Sequence, residues 1–397
     1  MEESVNKMKI LYIVARPLEI NTSASIRNRA TIMGLVENGH QVHLVTTMPD
    51  QNHMAYDNSL VLTDVKTTYI KLGGIQSVAR LGRKIKFMNL FKNFIVGYMN
   101  AHNLYDNLKG IVDHVTEIDV SNYDMIISSS DPKSSHLFAE KLIQRNKFNG
   151  KWIQIWGDPF LTDITLSKTA RKRKIYKEEK RLLSACDKIV YVSKMTLKIQ
   201  KKVYAECAEK MTYVPIPYLN KGEALSGDHI EQKKVRLAYC GDYTSKVRNI
   251  MPLYMAALED EKNFHLIICG NSDLDLCSTS SVKVLGRQTY KKVEEIEKEA
   301  TILVHICNLQ GSQIPGKIYQ YSGSYKPILF ILDGNTTDIR EQFEKYGRYY
   351  FAENTKEDIS RVIRLIVHEN KQFYPVHEFE KKVIADKILD MQKEKMI

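Results

Sequence analysis

The stretch that decides the fold is KILYIVA at Lys9–Ala15, with SIRNRATIMGLVEN at Ser25–Asn38 and QVHLVT at Gln41–Thr46. The first segment is an unbroken apolar run of strand length. Strands buried on both faces, as in parallel sheets, read this way. In the second, Ile26, Ala30, Met33 and Leu35–Val36 recur near helical spacing, and Asn38-Gly39 supplies a stop. Strand, helix and strand within about 40 residues make a βαβ unit, whose crossover is right-handed in nearly all sheets.

The alternation runs outward from there. Strands are expected at 124–128 (DMIIS), 151–155 (KWIQI), 188–192 (KIVYV) and 211–214, with helices at 134–145, 169–185 and from Lys194. The polar stretch 220–234 reads as a linker, and then the pattern restarts. VRLAYC at 235–240, FHLIIC at 264–269, 282–285, 302–306, 327–332 and 349–351 read as strands. Helices are expected at 249–259, 290–298, 317–322, 337–345 and 357–368. Two successive βα series imply an α/β protein of two Rossmann-like, doubly wound domains. Their boundaries are expected at 1–218 and 219–375, with a C-terminal segment at 376–397. Sheets of this kind bind ligands at the carboxyl ends of their strands, so two facing edges would form a cleft.

Composition agrees with a large globular chain: 397 residues, 43% hydrophobic and 26% charged. No apolar run approaches the roughly 18 residues of a membrane span. The N-terminus lacks a signal-peptide core, so a cytoplasmic location is expected. The cysteines Cys186, Cys207, Cys240, Cys269, Cys277 and Cys307 form no C-x-x-C pair and read as buried free thiols of a reducing compartment. A net charge of +11 favours an anionic partner without choosing one.

The first βα turn, RPLEINTSAS at Arg16–Ser25, contains no glycine, which argues against a dinucleotide fingerprint. Ser25 and Arg27 at the following helix N-terminus are candidates for an anion contact, or for a helix cap with a solvated arginine. GSQIPGK at Gly311–Lys317 is a near-match to a phosphate-binding P-loop. Ile318 replaces the Mg²⁺-binding hydroxyl, and Pro315 removes a backbone N–H. An ATPase reading is therefore weak, and another phosphate contact at this strand–helix junction fits better.

SQIPGKIYQYSGSYKPIL at Ser312–Leu329 resembles the donor-binding segment of GT-B glycosyltransferases of the bacterial family-4 type. Four further stretches are similar to family segments in the same order: SSSDPKSSHL from Ser128, WIQIWGDPF from Trp152, EKRLLSACDKIVYVS from Glu179, and YCGDYTSKVRN from Tyr239. The resemblance implies a GT-B fold with a C-terminal helix crossing back to the first domain. It also implies a retaining, metal-independent hexosyltransferase acting in cell-surface polysaccharide or glycolipid synthesis. The nucleotide sugar is then a substrate, with no other cofactor, and the acceptor a saccharide or lipid-linked saccharide. The donor-binding set it implies is Gly241, Lys246, Arg248, Ser312, Ile314, Gly316, Lys317 and Gln320. Two family glutamates are replaced, by Ser312 and Gln320; the second is the one expected to hold the donor ribose.

Transfer from such a donor releases a diphosphate whose developing charge needs stabilisation. Arg248 and Lys317 are the leading candidates, a planar fork and a point charge. His136 is similar to a family histidine that touches donor sugar or acceptor; it also reads as a packing or capping residue. Asp158 is a candidate to orient or deprotonate the acceptor hydroxyl, although Gly157-Asp158-Pro159 is itself a turn signal. RLGRKIKFMNLFKNFIVGY at Arg80–Tyr98 reads as a basic amphipathic helix, suited either to an anionic membrane or to packing on the sheet. A GT-B sugar-nucleotide epimerase would need cleft carboxylates of its own, and no convincing set is evident. No nucleic-acid module is recognisable.

Overall fold

The computed structural model describes residues 7–73, 104–161, 172–223, 234–310, 313–334 and 336–391. The expected basic helix at Arg80–Tyr98 and the expected donor residue Ser312 lie outside these residues.

The first domain is a parallel sheet of seven strands: β1 (Lys9–Ile13), β2 (Gln41–Thr47), β3 (Lys66–Ile70), β4 (Met125–Ser129), β5 (Lys151–Trp156), β6 (Lys188–Tyr191) and β7 (Met211–Tyr213). Their order is β3-β2-β1-β4-β5-β6-β7. The central strand pairs Ile10 with Val42 on one side and with Met125 on the other. Leu11, Ile13 and Ala15 enter the core on one face, and Ile10, Tyr12 and Val14 the core on the opposite face. That explains the unbroken apolar run: neither face of β1 meets water. Helices α1 (Ser23–Glu37), α2 (Ser134–Asn146), α3 (Lys172–Ala185) and α4 (Lys194–Val203) cover the two faces.

The second domain repeats the plan with six parallel strands: β8 (Val235–Cys240), β9 (Phe264–Cys269), β10 (Val282–Leu285), β11 (Ile302–Ile306), β12 (Ile328–Leu332) and β13 (Tyr349–Glu353), in the order β10-β9-β8-β11-β12-β13. It carries helices α5 (Met251–Glu259), α6 (Tyr290–Glu299), α7 (Lys317–Tyr321), α8 (Thr336–Glu344) and α9 (Lys356–Glu369). Strand order reverses at β1/β4 in one sheet and at β8/β11 in the other, which places a ligand crevice at each reversal.

The last described helix, α10 (Lys381–Leu389), returns to the first domain. Ile384, Ala385 and Ile388 join the core containing Ile10, Tyr12, Ile32 and Leu35. A Cβ built on Gly34 of α1 would lie 2.1 Å from the Lys381 carbonyl oxygen, so only glycine admits this close crossing. Asn38 Nδ2 donates to the Lys382 carbonyl (2.9 Å), Lys381 pairs with Glu37 (2.8 Å), and Lys188 Nζ donates to the Lys387 carbonyl (2.9 Å). Among the described residues no helix is long and apolar enough to cross a membrane. Five of the six cysteines are buried as expected. Cys277, in an irregular loop before β10, is exposed, because it lies outside the strand-like runs on which that expectation rested.

Candidate functional site

The two domains face each other across a cavity of about 940 Å³. Its second-domain wall is the β8/β11 crevice. Gly241 and Asp242 follow β8, Gly270 follows β9, Arg287 follows β10, and Gly316 and Lys317 open α7. Opposite stand Asn21, Thr22 and Ser23 at the start of α1. Glycines at 241, 270 and 316 leave this wall without side chains at those positions. At Gly270, φ is +155° and an added Cβ would meet the Gly241 carbonyl oxygen at 2.1 Å.

Arg248, Arg287 and Lys317 are among the cations of this wall, and each is held by a neighbour. Arg248 donates from Nε to Asn308 Oδ1 (2.9 Å) and from Nη1 to the Asp242 carbonyl (2.6 Å). A guanidinium has five N–H donors, so this anchoring leaves donors over for a ligand. Arg287 Nη1 donates to the Asn21 carbonyl (2.8 Å) across the domain boundary, and Nη2 pairs with Asp242. Lys317 Nζ sits 2.6 Å from Glu297 Oε1 on α6 and 5.5 Å from the centre of the Tyr321 ring. Burial pulls the ammonium's pKa down, but the Glu297 carboxylate outweighs it and the net shift is upward. The group therefore stays charged at neutral pH. At the same wall, Lys326 Nζ donates to the Lys298 and Ala300 carbonyls at the C-terminal end of α6. Burial, reinforced by Arg236, lowers its pKa to about 8.

The remaining donor-side candidates divide. Gly241, Gly316 and Gln320 line the cavity with Arg248 and Lys317. Lys246 is exposed and lies outside the cavity lining, since the turn after β8 directs position 248 inward instead. Ile314 packs on the second-domain core and also lies off the lining.

In the first domain the candidate anion contact is tied inward. Ser25 Oγ donates to the Ile20 carbonyl at 2.6 Å, and its amide donates to the side chain of Thr22, which caps α1. Arg27 is buried and donates to the Ser130 carbonyl and, at 3.4 Å, to Ser129 Oγ. Neither lines the cavity; Thr22 and Ser23, one turn earlier, do.

A second cavity of about 430 Å³ opens on the first-domain side, lined by Arg16, Tyr105, Asp131, Lys133, Asp158 and Phe160 among others. Asp158 accepts a hydrogen bond from Gln313 Nε2, which reaches over from the segment before α7. The Phe160 wall is fixed by Glu179 of α3, whose carboxylate accepts from the Phe160 amide (2.9 Å), the Leu161 amide (2.7 Å) and the Tyr204 hydroxyl (2.8 Å). His136 lies beneath this region rather than in it. It is fully buried, with Nδ1 2.8 Å from Ser128 Oγ and its ring centre 4.3 Å from that of Trp156. Burial, with the charges of Lys133 and Arg27, holds its pKa well below the usual range. It lines neither cavity, and its Nε2 is buried with no hydrogen-bond partner among the described residues.

Arg287, Glu297 and Thr22 are the contributors that sequence reasoning missed. Arg287 and Glu297 carried a signal only as charges at a strand end and on a helix face; their partners are remote in sequence.

No protein-family profile matches the chain, and no curated protein sequence does. Solved structures do. HepE of Anabaena, crystallised with UDP and glucose, superposes with a TM-score of 0.57 at 11% identity, over 97% of this chain and 96% of that one. A glycosyltransferase of Rickettsia africae gives 0.55 at 12% identity, over 97% and 93%. The catalytic domain of starch synthase IV of Arabidopsis thaliana, bound to ADP and acarbose, gives 0.58 at 8% identity, over 98% and 96%. Similarity end to end at such identities defines the fold: this chain has the GT-B architecture, two Rossmann-like domains across a cleft.

Proposed function

We propose that this chain is a glycosyltransferase that moves a sugar from a nucleotide-diphosphate donor to a saccharide or lipid-linked acceptor. One observation carries the reading. At the β8/β11 reversal, Arg248, Arg287 and Lys317 line one crevice with Gly241, Gly270 and Gly316 and face the N-terminus of α1 across the cleft. Clustered cations with donors to spare in one crevice suit a diphosphate, and a fold neighbour holding UDP and glucose supports that ligand class.

In this reading the diphosphate leaves as its bond to the sugar breaks. Arg248 and Lys317 neutralise the developing charge, already oriented by Asn308, Asp242 and Glu297. Such cations would serve without a metal, so transfer should persist in EDTA. Asp158, in the adjoining cavity, orients the acceptor hydroxyl or takes its proton.

A thermal-shift screen of UDP, ADP, GDP and CDP tests the reading, because a ligand that binds only the native state raises Tm. At least one diphosphate should raise Tm, and the corresponding nucleotide sugars should release it when an acceptor is supplied. A flat response to all four sinks the proposal.

A further inference from the structure

The link between the domains begins before the expected 220–234 stretch, and its first part, residues 214–219, is buried. Buried backbone groups require partners, and this link has few of its own. Pro215 and Pro217 lack an N–H, and the Tyr218 amide donates to the Phe379 carbonyl (3.1 Å) on the way to α10. The Val214 amide donates to the Tyr191 carbonyl (3.0 Å) and the Leu219 carbonyl accepts from Lys381 Nζ (3.4 Å); between them one side chain bridges the link. Gln320 Oε1 accepts from the Leu219 amide at 2.9 Å, and Gln320 Nε2 donates to the Pro217 carbonyl at 2.9 Å. A flipped amide would set donor against donor and acceptor against acceptor, so this orientation alone satisfies both.

The sequence resemblance expects a glutamate here, holding the donor ribose. A carboxylate would keep the bond from Leu219 but present a second acceptor to the Pro217 carbonyl. Only a group that both donates and accepts fits the site, which an amide does at any pH and a carboxyl does only when protonated. Gln320 also lies one helical turn beyond Lys317 on α7, at the cavity wall.

We propose that Gln320 is a positioning residue: it pins the interdomain link to the helix that carries Lys317, and so sets the placement of the two half-sites rather than gripping the ribose. The effect on transfer rests on the function proposed above; the pinning itself does not.

The test compares Gln320→Glu, Gln320→Ala and the natural protein by thermal denaturation from pH 8 to pH 5. At pH 8 both variants should melt about 3–6 °C below the natural protein. The introduced carboxyl, facing a carbonyl in a half-buried site, has a raised folded-state pKa. Its protonated form restores the lost donor, so the Gln320→Glu deficit should fall to less than half by pH 5. The Gln320→Ala deficit should stay constant. UDP, or ADP where UDP gives no shift, is the binding probe. With the cognate donor, kcat should fall at least tenfold in Gln320→Glu at pH 8 while KM changes less than threefold. A deficit of Gln320→Glu that is absent, or that does not shrink with acid, overturns the pinning. So does a tenfold gain in diphosphate affinity, which would mark a ribose site. If no diphosphate binds even the natural protein, the glycosyltransferase reading fails, and the melting series still decides the pinning.

Discussion

The first βα turn of each domain sits at the same place in the same topology, yet the two are used in opposite ways. After β1, Ser25 and Arg27 point back into their own domain, where they satisfy the Ile20 and Ser130 carbonyls. After β8, Arg248 is braced by Asn308 and the Asp242 carbonyl at the cavity wall. One arginine is spent on the backbone of its own domain, and the other lines the interdomain cavity. A crevice at a strand-order reversal is an opportunity for binding; the partners of its polar side chains decide whether the opportunity is taken.

The sharpest way to break this contrast is to remove each arginine in turn. Arg248→Ala should lower sugar transfer by about 10²–10³-fold, the usual scale for losing a donor to developing oxyanion charge. It should do so with little change in Tm; Lys317→Ala should lower transfer alike but also lower Tm, because it leaves the Glu297 carboxylate without its partner. Arg27→Ala should do the reverse. It strands the Ser130 carbonyl in a buried setting and should cost about 2–3 kcal/mol in urea unfolding, with diphosphate affinity held within about twofold of the natural protein. If the first-domain variant loses affinity at unchanged stability, the two turns share one job and the contrast is wrong.

The layout was legible because it rests on local pattern. Unbroken apolar strands, helical spacing and polar stops located the βα series in both domains. The strand missed was β3, KTTYI, which lies at the sheet edge. It is half-buried and polar at its start, so it shows no continuous apolar run. The site was legible only in part. Positions 248, 317 and 320 were singled out from motifs, but what each one does depends on Asn308, Glu297 and the 217–219 link. Those partners come from other elements, and no local rule announces them. The same limit governs His136: a histidine three residues into a helix after a strand reads equally as a cleft residue or as a packing one. Only the packing of Trp156 and Ser128 around it shows that it faces the core.

The two domains agree in one respect, which yields the smallest expected effect. Each buries an imidazole in its core: His136 in the first, and His305 on β11 in the second, edge-on to Phe330 at 4.7 Å. Burial, helped by the charge of Arg248, lowers the pKa of His305 to about 3. The unfolded chain takes up this proton near pH 6.5, while the folded chain does not. Stability from this group is therefore complete above pH 6.5 and declines as the pH falls toward 3, at about 1.4 kcal/mol per pH unit. His305→Leu keeps the apolar contact with Phe330 and removes the titration. Relative to its value at pH 7.5, its unfolding free energy should fall less by pH 5.5 than that of the natural protein, the gap being about 1.4 kcal/mol. Urea denaturation at the two pH values measures it. Identical acid profiles would mean that the folded imidazole takes up its proton in the same pH range as the unfolded chain, so that burial beside Arg248 does not hold it neutral.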